Sequence, residues 1–464
     1  MNPNSAAKRN VGPVILGFFI ITLGCVLLFG PSGDMYVDAE GNKHVPGFFN
    51  DAVITYADQI CGENPVTDWH SALYMYEGRA VHSFLESLTV QTVDGYLPQR
   101  VMMWVADILV LVNMSYWLAL LLHRYPRACY MALPMGVCML MLHFTLGVSL
   151  DFFFVAILFS SISLSFLLYT TKKKWVLIVS VAGLIVLLYH MVEYRRNAAL
   201  VLPIFIYLLV ARLMPSCRIA LKAGVGGVVT LAFYWFSTHF ITLCGLPVED
   251  RPSLLPMVES DLRIAAILDN RRAEEWALLP AVGLQVTNHE YRDSITAYWA
   301  GANVAPEDWD RVWEYYLYSW KNNTGNMLMA RVLQLSQFYW SGGTPWAVEK
   351  MADAMYPQMT DNPKRWTVLF DTDVKYLVVR LMRLAITLST IIICLCHVWR
   401  WLVRHSTLSP EQYAVMIITG AATAYSLSYV VVTPTSDLRY LLPAQVLGII
   451  TLCYLFLKKR ASVK

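Results

Sequence analysis

The chain is 464 residues long, 57% apolar and only 15% charged, with a formal net charge of +3. That balance excludes a soluble globular enzyme, and nothing in it suggests a nucleic-acid partner. It predicts an all-α polytopic membrane protein, because an apolar run of about 20 residues crosses a bilayer as a helix.

Ten segments near that length follow in chain order: 13–30, 101–122, 128–147, 152–170, 175–192, 198–214, 223–245, 379–400, 411–432 and 440–457. The first has Lys8 and Arg9 before it and no small-residue cleavage site after it, so it is expected to remain as a span. Lysine and arginine set the orientation, since basic loops stay in the cytoplasm. With the N-terminus inside, Arg124 and Arg127, Lys172 to Lys174, Arg212, Arg218 and Lys222, Arg400 and Arg404, and Lys458 to Arg460 all fall inside. Both termini are then cytoplasmic, and the long loops 31–100 and 246–378 lie outside. The expected organisation is an N-terminal transmembrane module over 1–245 with a catalytic first outer loop at 31–100, a helical subdomain over 246–378, and C-terminal transmembrane helices over 379–464.

The first outer loop carries the densest chemistry, from Phe48 to Glu77. Asn50-Asp51 opens a helix-like run in which Asp58, seven residues on, shares a face with Asp51. A turn at Gly62 follows, and then Asp68-Trp69-His70 leads into an aromatic, apolar stretch. In the spans beyond, Asp107 is the main in-span acid and is expected to face the bundle. Ser149-Leu150-Asp151 reads as a helix N-cap or as an acid kept for function. Glu193-Tyr194-Arg195-Arg196-Asn197 places two arginines outside, where an anionic headgroup, a carboxylate or a phosphate would hold them; Glu193 is able to satisfy one, Arg195, and the pair together favours a bound anion.

The 246–378 loop is too rich in Trp and Tyr for disorder, and Glu307 to Gln337 repeats apolar residues at helical spacing. Before the last span, Asp437-Leu438-Arg439-Tyr440 brings another outward arginine. The cysteines show no metal-like spacing, and His123, His143, His190 and His397 are scattered, so no metal and no cofactor are expected. Cys61 and Cys244 are the two outer cysteines; they pair in an oxidising compartment, or Cys244 is buried as a plain apolar residue.

The outer side of a membrane has no nucleotide pool, and the chain has no Gly-rich phosphate loop, dinucleotide fingerprint or nucleophile elbow. Carboxylates and outward arginines suit transfer from a lipid phosphate: a carboxylate takes the acceptor's proton while a cation stabilises the departing phosphate.

Several of these elements together resemble the GT-C glycosyltransferases of the bacterial polytopic type, close to the RgtA/B/C/D-like group and the O-antigen glucosyltransferase (GtrII-like) group. The resemblance is carried by Asp51, by Asp68-Trp69-His70-Ser71-Ala72 where the family shows a D-W-H-P-P-like element, by Asp151, by Arg195-Arg196-Asn197, and by Asp437-Leu438-Arg439-Tyr440 with Pro443. It runs through most of the chain in order, with Ser-Ala in place of Pro-Pro. It implies a polyprenyl-phosphate-linked sugar as donor and a glycan or lipid acceptor, such as lipopolysaccharide or O-antigen, at the periplasmic face of a bacterial inner membrane. Asp51 and Asp68 would be the catalytic acids, and His70, Asp151, Arg195, Arg196, Asp437, Arg439 and Tyr440 would bind substrate. A single displacement would invert the anomeric carbon. The rivals are a polysaccharide polymerase or ligase, and a transporter or flippase of lipid-linked sugar. The polymerase would carry basic outer loops, and the transporter mid-span charges and repeated halves.

Overall fold

The computed structural model describes residues 11–29, 36–37, 43–44, 56–67, 71–89, 94–146, 149–249, 258, 261–262, 265, 309–336, 374–404, 408–431 and 441–462. Apart from one antiparallel pair, β1 (Tyr36–Val37) with β2 (Lys43–His44), the regular elements among these residues are helices. The chain falls into two compact units, one of residues 1–249, 387–428 and 441–464, the other of residues 250–386 and 429–440.

In the first unit, α1 (Val11–Phe29) is followed by the one-turn α2 (Ala57–Cys61) and by α3 (Ala72–Thr89). Next come α4 (Tyr96–Arg124), α5 (Ala132–Leu146), α6 (Leu150–Thr170), α7 (Lys174–Tyr194), α8 (Leu202–Leu213) and α9 (Ile219–Leu243). Seven helices among the described residues are long and apolar enough to cross a bilayer: Val11–Leu28, Tyr96–Arg124, Leu150–Thr170, Lys174–Tyr194, Ile219–Leu243, Leu381–Trp401 and Leu442–Lys459. Large apolar side chains such as Ile21, Trp175, Val228 and Leu231 stand exposed along them, as lipid-facing residues do. The chain is an integral membrane protein on this evidence. Segments 128–147 and 198–214 form shorter apolar helices, Arg127–His143 and Ala198–Leu213.

Helix α6 lies at the centre. Most of its apolar stretch is buried, and Phe152, Phe154, Val155 and Leu158 are fully enclosed. Lipid is as apolar as leucine, so helices in a bilayer associate through close packing and polar contacts between them. Serines on α6 supply both. Ser160 accepts from Asn113 on α4 at 2.8 Å, and Ser163 accepts from the Trp117 indole at 2.9 Å. Each such bond contributes about 0.6 kcal/mol. Two further helices follow the long α12 (Val374–Arg404): α13 (Pro410–Val431) and α14 (Leu442–Ser462). Tyr425 of α13 stacks on Phe154, ring centroids 4.8 Å apart, and the Tyr413 hydroxyl donates to the Ser165 carbonyl.

The second unit contains α10 (Trp309–Asn322), α11 (Thr324–Ser336) and the first part of α12 (Val374–Arg404). The helical spacing read from Glu307 to Gln337 is realised as α10 and α11, broken at Asn323. Val312, Tyr316 and Met327 are buried, whereas Met329 and Val332 are exposed, so only part of the expected apolar stripe forms a core. Its centre is ionic. Asp261 is fully buried, 2.9 Å from Arg331 Nε, and accepts from the Tyr316 hydroxyl at 2.8 Å. Burial, helped by the Asp261 charge, pushes the Tyr316 phenol up to about 12.

Removing one partner of a buried ion pair strands the other charge. Arg331→Met should therefore destabilise this unit by about 3–5 kcal/mol, while Asp261→Leu combined with Arg331→Met recovers most of the loss. Thermal unfolding of the purified single and double variants checks this.

Candidate functional site

Within the 31–100 segment, the stretch Tyr56 to Thr67 is seated on the helices by many polar contacts. Gly62 ends α2 in the left-handed conformation, φ 82°, so the turn read from the sequence is present. Arg79 of α3 donates to the carbonyls of Gln59 at 2.7 Å and Asn64 at 3.1 Å. Thr67 pairs with Glu249 in an isolated parallel bridge. Two glycines allow close approach. A Cβ on Gly95 would run into the Ala57 carbonyl, and one on Gly78 would lie 2.7 Å from the Ile60 side chain.

Beneath this segment lies an aromatic floor. Tyr74 of α3 is fully buried and touches Tyr56, Phe153 and Tyr194, at centroid distances of 5.6, 5.0 and 5.9 Å. Burial, with the nearby Glu77 charge, holds its phenol in the protonated form by raising its pKa.

Two carboxylates meet the end of α7 here. Glu77 of α3 accepts from the Tyr194 hydroxyl through one oxygen and lies 2.8 Å from His190 Nε2 through the other. His190 Nδ1 faces the Val186 carbonyl at 2.8 Å. Both ring nitrogens thus lie against oxygen atoms, which fixes the ring's orientation. Asp151, 1% exposed at the start of α6, holds the guanidinium of Arg195, which follows α7 and is 24% exposed. Arg195 is therefore bound to Asp151, an acid that its neighbourhood in sequence did not point to. Ser149 makes no side-chain cap bond to α6. The acid beside it serves the arginine across the helix pair instead.

A third pair lies within the bundle. Asp107 of α4 and His143 of α5 are 3.0 Å apart and almost fully buried, with the His143 ring edge-on to Phe152. Asp107 thus faces the bundle as expected, and His143 and His190, read as scattered, each bind a carboxylate. Among the described residues no group of three His, Cys, Asp or Glu side chains stands close enough to hold a metal ion.

Of the predicted site residues, Asp151 and Arg195 are brought together. Arg196 begins a 3-10 turn, Arg196–Leu200, and its side chain lies outside the described residues. Asp51, Asp68, His70, Asp437, Arg439 and Tyr440 also lie outside them. Glu77, His190 and Tyr194 were missed as a set. The signal was present: His190 and Tyr194 are one helical turn apart and so share a face, and Glu77 is an acid within an otherwise aromatic stretch.

Cys61 and Cys244 are both free thiols; Cys61 is half-buried, 3.8 Å from His82, and Cys244 is exposed rather than buried. A comparison with family models, curated proteins and solved structures finds no match to this chain.

Burial first, then the charges of Glu63, Asp94, Asp58 and Glu86, raises the Cys61 thiol above its ordinary value. A raised thiol holds its proton at neutral pH, so its reactive thiolate is scarce and grows as pH rises. In a chain keeping only Cys61 and Cys244, maleimide without reductant should label both. Cys61 should react more slowly than Cys244, and faster at pH 9 than at pH 7.

Proposed function

We propose that the protein is a membrane glycosyltransferase that moves a sugar from a polyprenyl-phosphate-linked donor to a glycan or lipid acceptor, of the lipopolysaccharide or O-antigen kind. It works at the periplasmic face of a bacterial inner membrane, with ten spans in a GT-C-like arrangement and both termini cytoplasmic. The observation that carries this is the gathering of Glu77, His190, Tyr194, Asp151 and Arg195 at one end of the α6–α7 pair, under the Tyr56–Thr67 segment. The sequence supplies Asp51 shortly before that segment and Asp68 directly after it.

The chemistry divides between the two charges. Asp51 acts as general base on the acceptor hydroxyl, with Asp68 as the second acid and His70 beside it in sequence. The sugar carbon passes from the lipid phosphate oxygen to the acceptor oxygen in one displacement, inverting its configuration. Arg195, Arg196 and Arg439 neutralise the phosphate that leaves, and Asp151 positions Arg195 through their ion pair. Asp437 and Tyr440 flank Arg439 in the same role.

The buried Asp107–His143 pair favours a second reading, a transporter of lipid-linked sugar, because ionisable groups inside a bundle are common on transport paths. One experiment separates the two. Membranes containing the protein and a radiolabelled polyprenyl-phosphate sugar should pass label to a glycan or lipid acceptor; label that only changes leaflet would establish transport instead.

Asp51→Asn should lower transfer by about 10²–10⁴-fold with insertion unchanged, the usual cost of losing a general base. Near-parental transfer by that variant would remove Asp51 from the role. Arg439→Lys should raise the donor concentration needed for half-maximal rate, because lysine cannot reproduce a two-pronged guanidinium contact. Donor titration of the two proteins side by side reads it directly.

A further inference from the structure

The opposite end of the same helices holds a cavity that plays no part in the reaction above. It has a volume of about 260 Å³ and lies between α4, α5, α6, α13 and α14. Its wall is almost wholly apolar, with Trp117, Phe159, Phe166, Val415 and Leu447 among the lining residues. Met114 and Arg124 both line it, so it runs roughly 15 Å along α4. Its mouth is ionic. Glu411, 15% exposed, sits between Arg124 Nε at 2.5 Å and Lys458 Nζ at 2.8 Å, and accepts from the Tyr125 hydroxyl at 2.9 Å.

The two cations are far more open than the acid between them, at 61% and 45% exposed. Arg127 and Lys459 are exposed nearby in sequence. Among the described residues Glu411 is the one acid lining the cavity, so with Arg124 and Lys458 the mouth carries a net positive charge. We propose that this cavity takes one acyl chain of an anionic membrane phospholipid whose phosphate sits at Arg124 and Lys458.

The physical basis is a division of labour between tail and head. An alkyl chain gains little on leaving a bilayer for an equally apolar cavity, so the tail fixes position rather than preference. Preference comes from the head, because cations beside a transmembrane cleft attract anionic lipid and hold phosphate by charge-assisted hydrogen bonds. An elongated apolar slot ending at paired cations matches that shape and charge. A zwitterionic lipid brings its own cation and loses most of the attraction.

The full-length protein, purified into micelles holding equal phosphatidylglycerol and phosphatidylcholine with the same chains, tests this by native mass spectrometry. The parent should retain phosphatidylglycerol about tenfold over phosphatidylcholine, as two cations partly offset by Glu411 provide. Glu411→Gln frees both cations and should raise that preference. Val415→Trp fills the slot and should reduce retention to the phosphatidylcholine level, and Ala414→Leu, a smaller change on the same wall, should reduce it in part. Equal retention of the two lipids by the parent would overturn the proposal. So would an unchanged preference in the filled variants, which would place the lipid on the surface with no chain inside. Sugar transfer is not measured in either arm, so the outcome is independent of the enzymatic proposal.

Discussion

Helix α6 has almost no face left for lipid, and its neighbours meet it through a set of polar contacts. Such contacts, with close packing, hold helices together where water is absent. Asp151 at its start finds Arg195, Ser160 finds Asn113, and Ser163 finds Trp117. The Ser165 carbonyl receives Tyr413. Those contacts run to α4, to the end of α7 and to α13, so a single central helix fixes the positions of its neighbours on several sides.

The two ends of the bundle use charge differently. At one end acids and bases interleave: Glu77 with His190, Asp151 with Arg195, and Arg79 on backbone carbonyls. A reactive group needs partners that hold its orientation and its protonation state, and such pairs provide them. At the other end cations outnumber the acid they surround, an arrangement suited to attraction rather than proton transfer. Between them, Asp107 and His143 form a closed pair inside the packing.

Helix positions were legible from apolar run length alone, as for Lys174–Tyr194 against the predicted 175–192. The Gly62 turn was legible because a left-handed residue after a short helix favours glycine. The partners of charged groups were not. Asp151 and Arg195 are 44 residues apart, and Glu77 and His190 are 113 apart. Only the packing of α6 against α7, and of α3 against α7, brings them together, and no local pattern encodes which acid an arginine will choose. Sequence proximity pointed to Glu193 for Arg195; the acid at the start of α6 is brought to it only by geometry across the helix pair. The Glu411 mouth was hidden for the same reason, since Tyr125 and Glu411 are 286 residues apart.

The contact between Tyr413 and Ser165 spans 248 residues of chain. At roughly 5–20 residues per second, synthesis reaches the second partner about 12–50 s after the first. Throughout that interval the face of α6 that will meet α13 has no permanent neighbour, with Phe154 still awaiting Tyr425. The bundle is thus completed late, by insertion of its last helices against a surface already built. A chain that stops short of Pro410 leaves that surface open to other helices in the membrane, which makes the C-terminal helices the closing step of assembly.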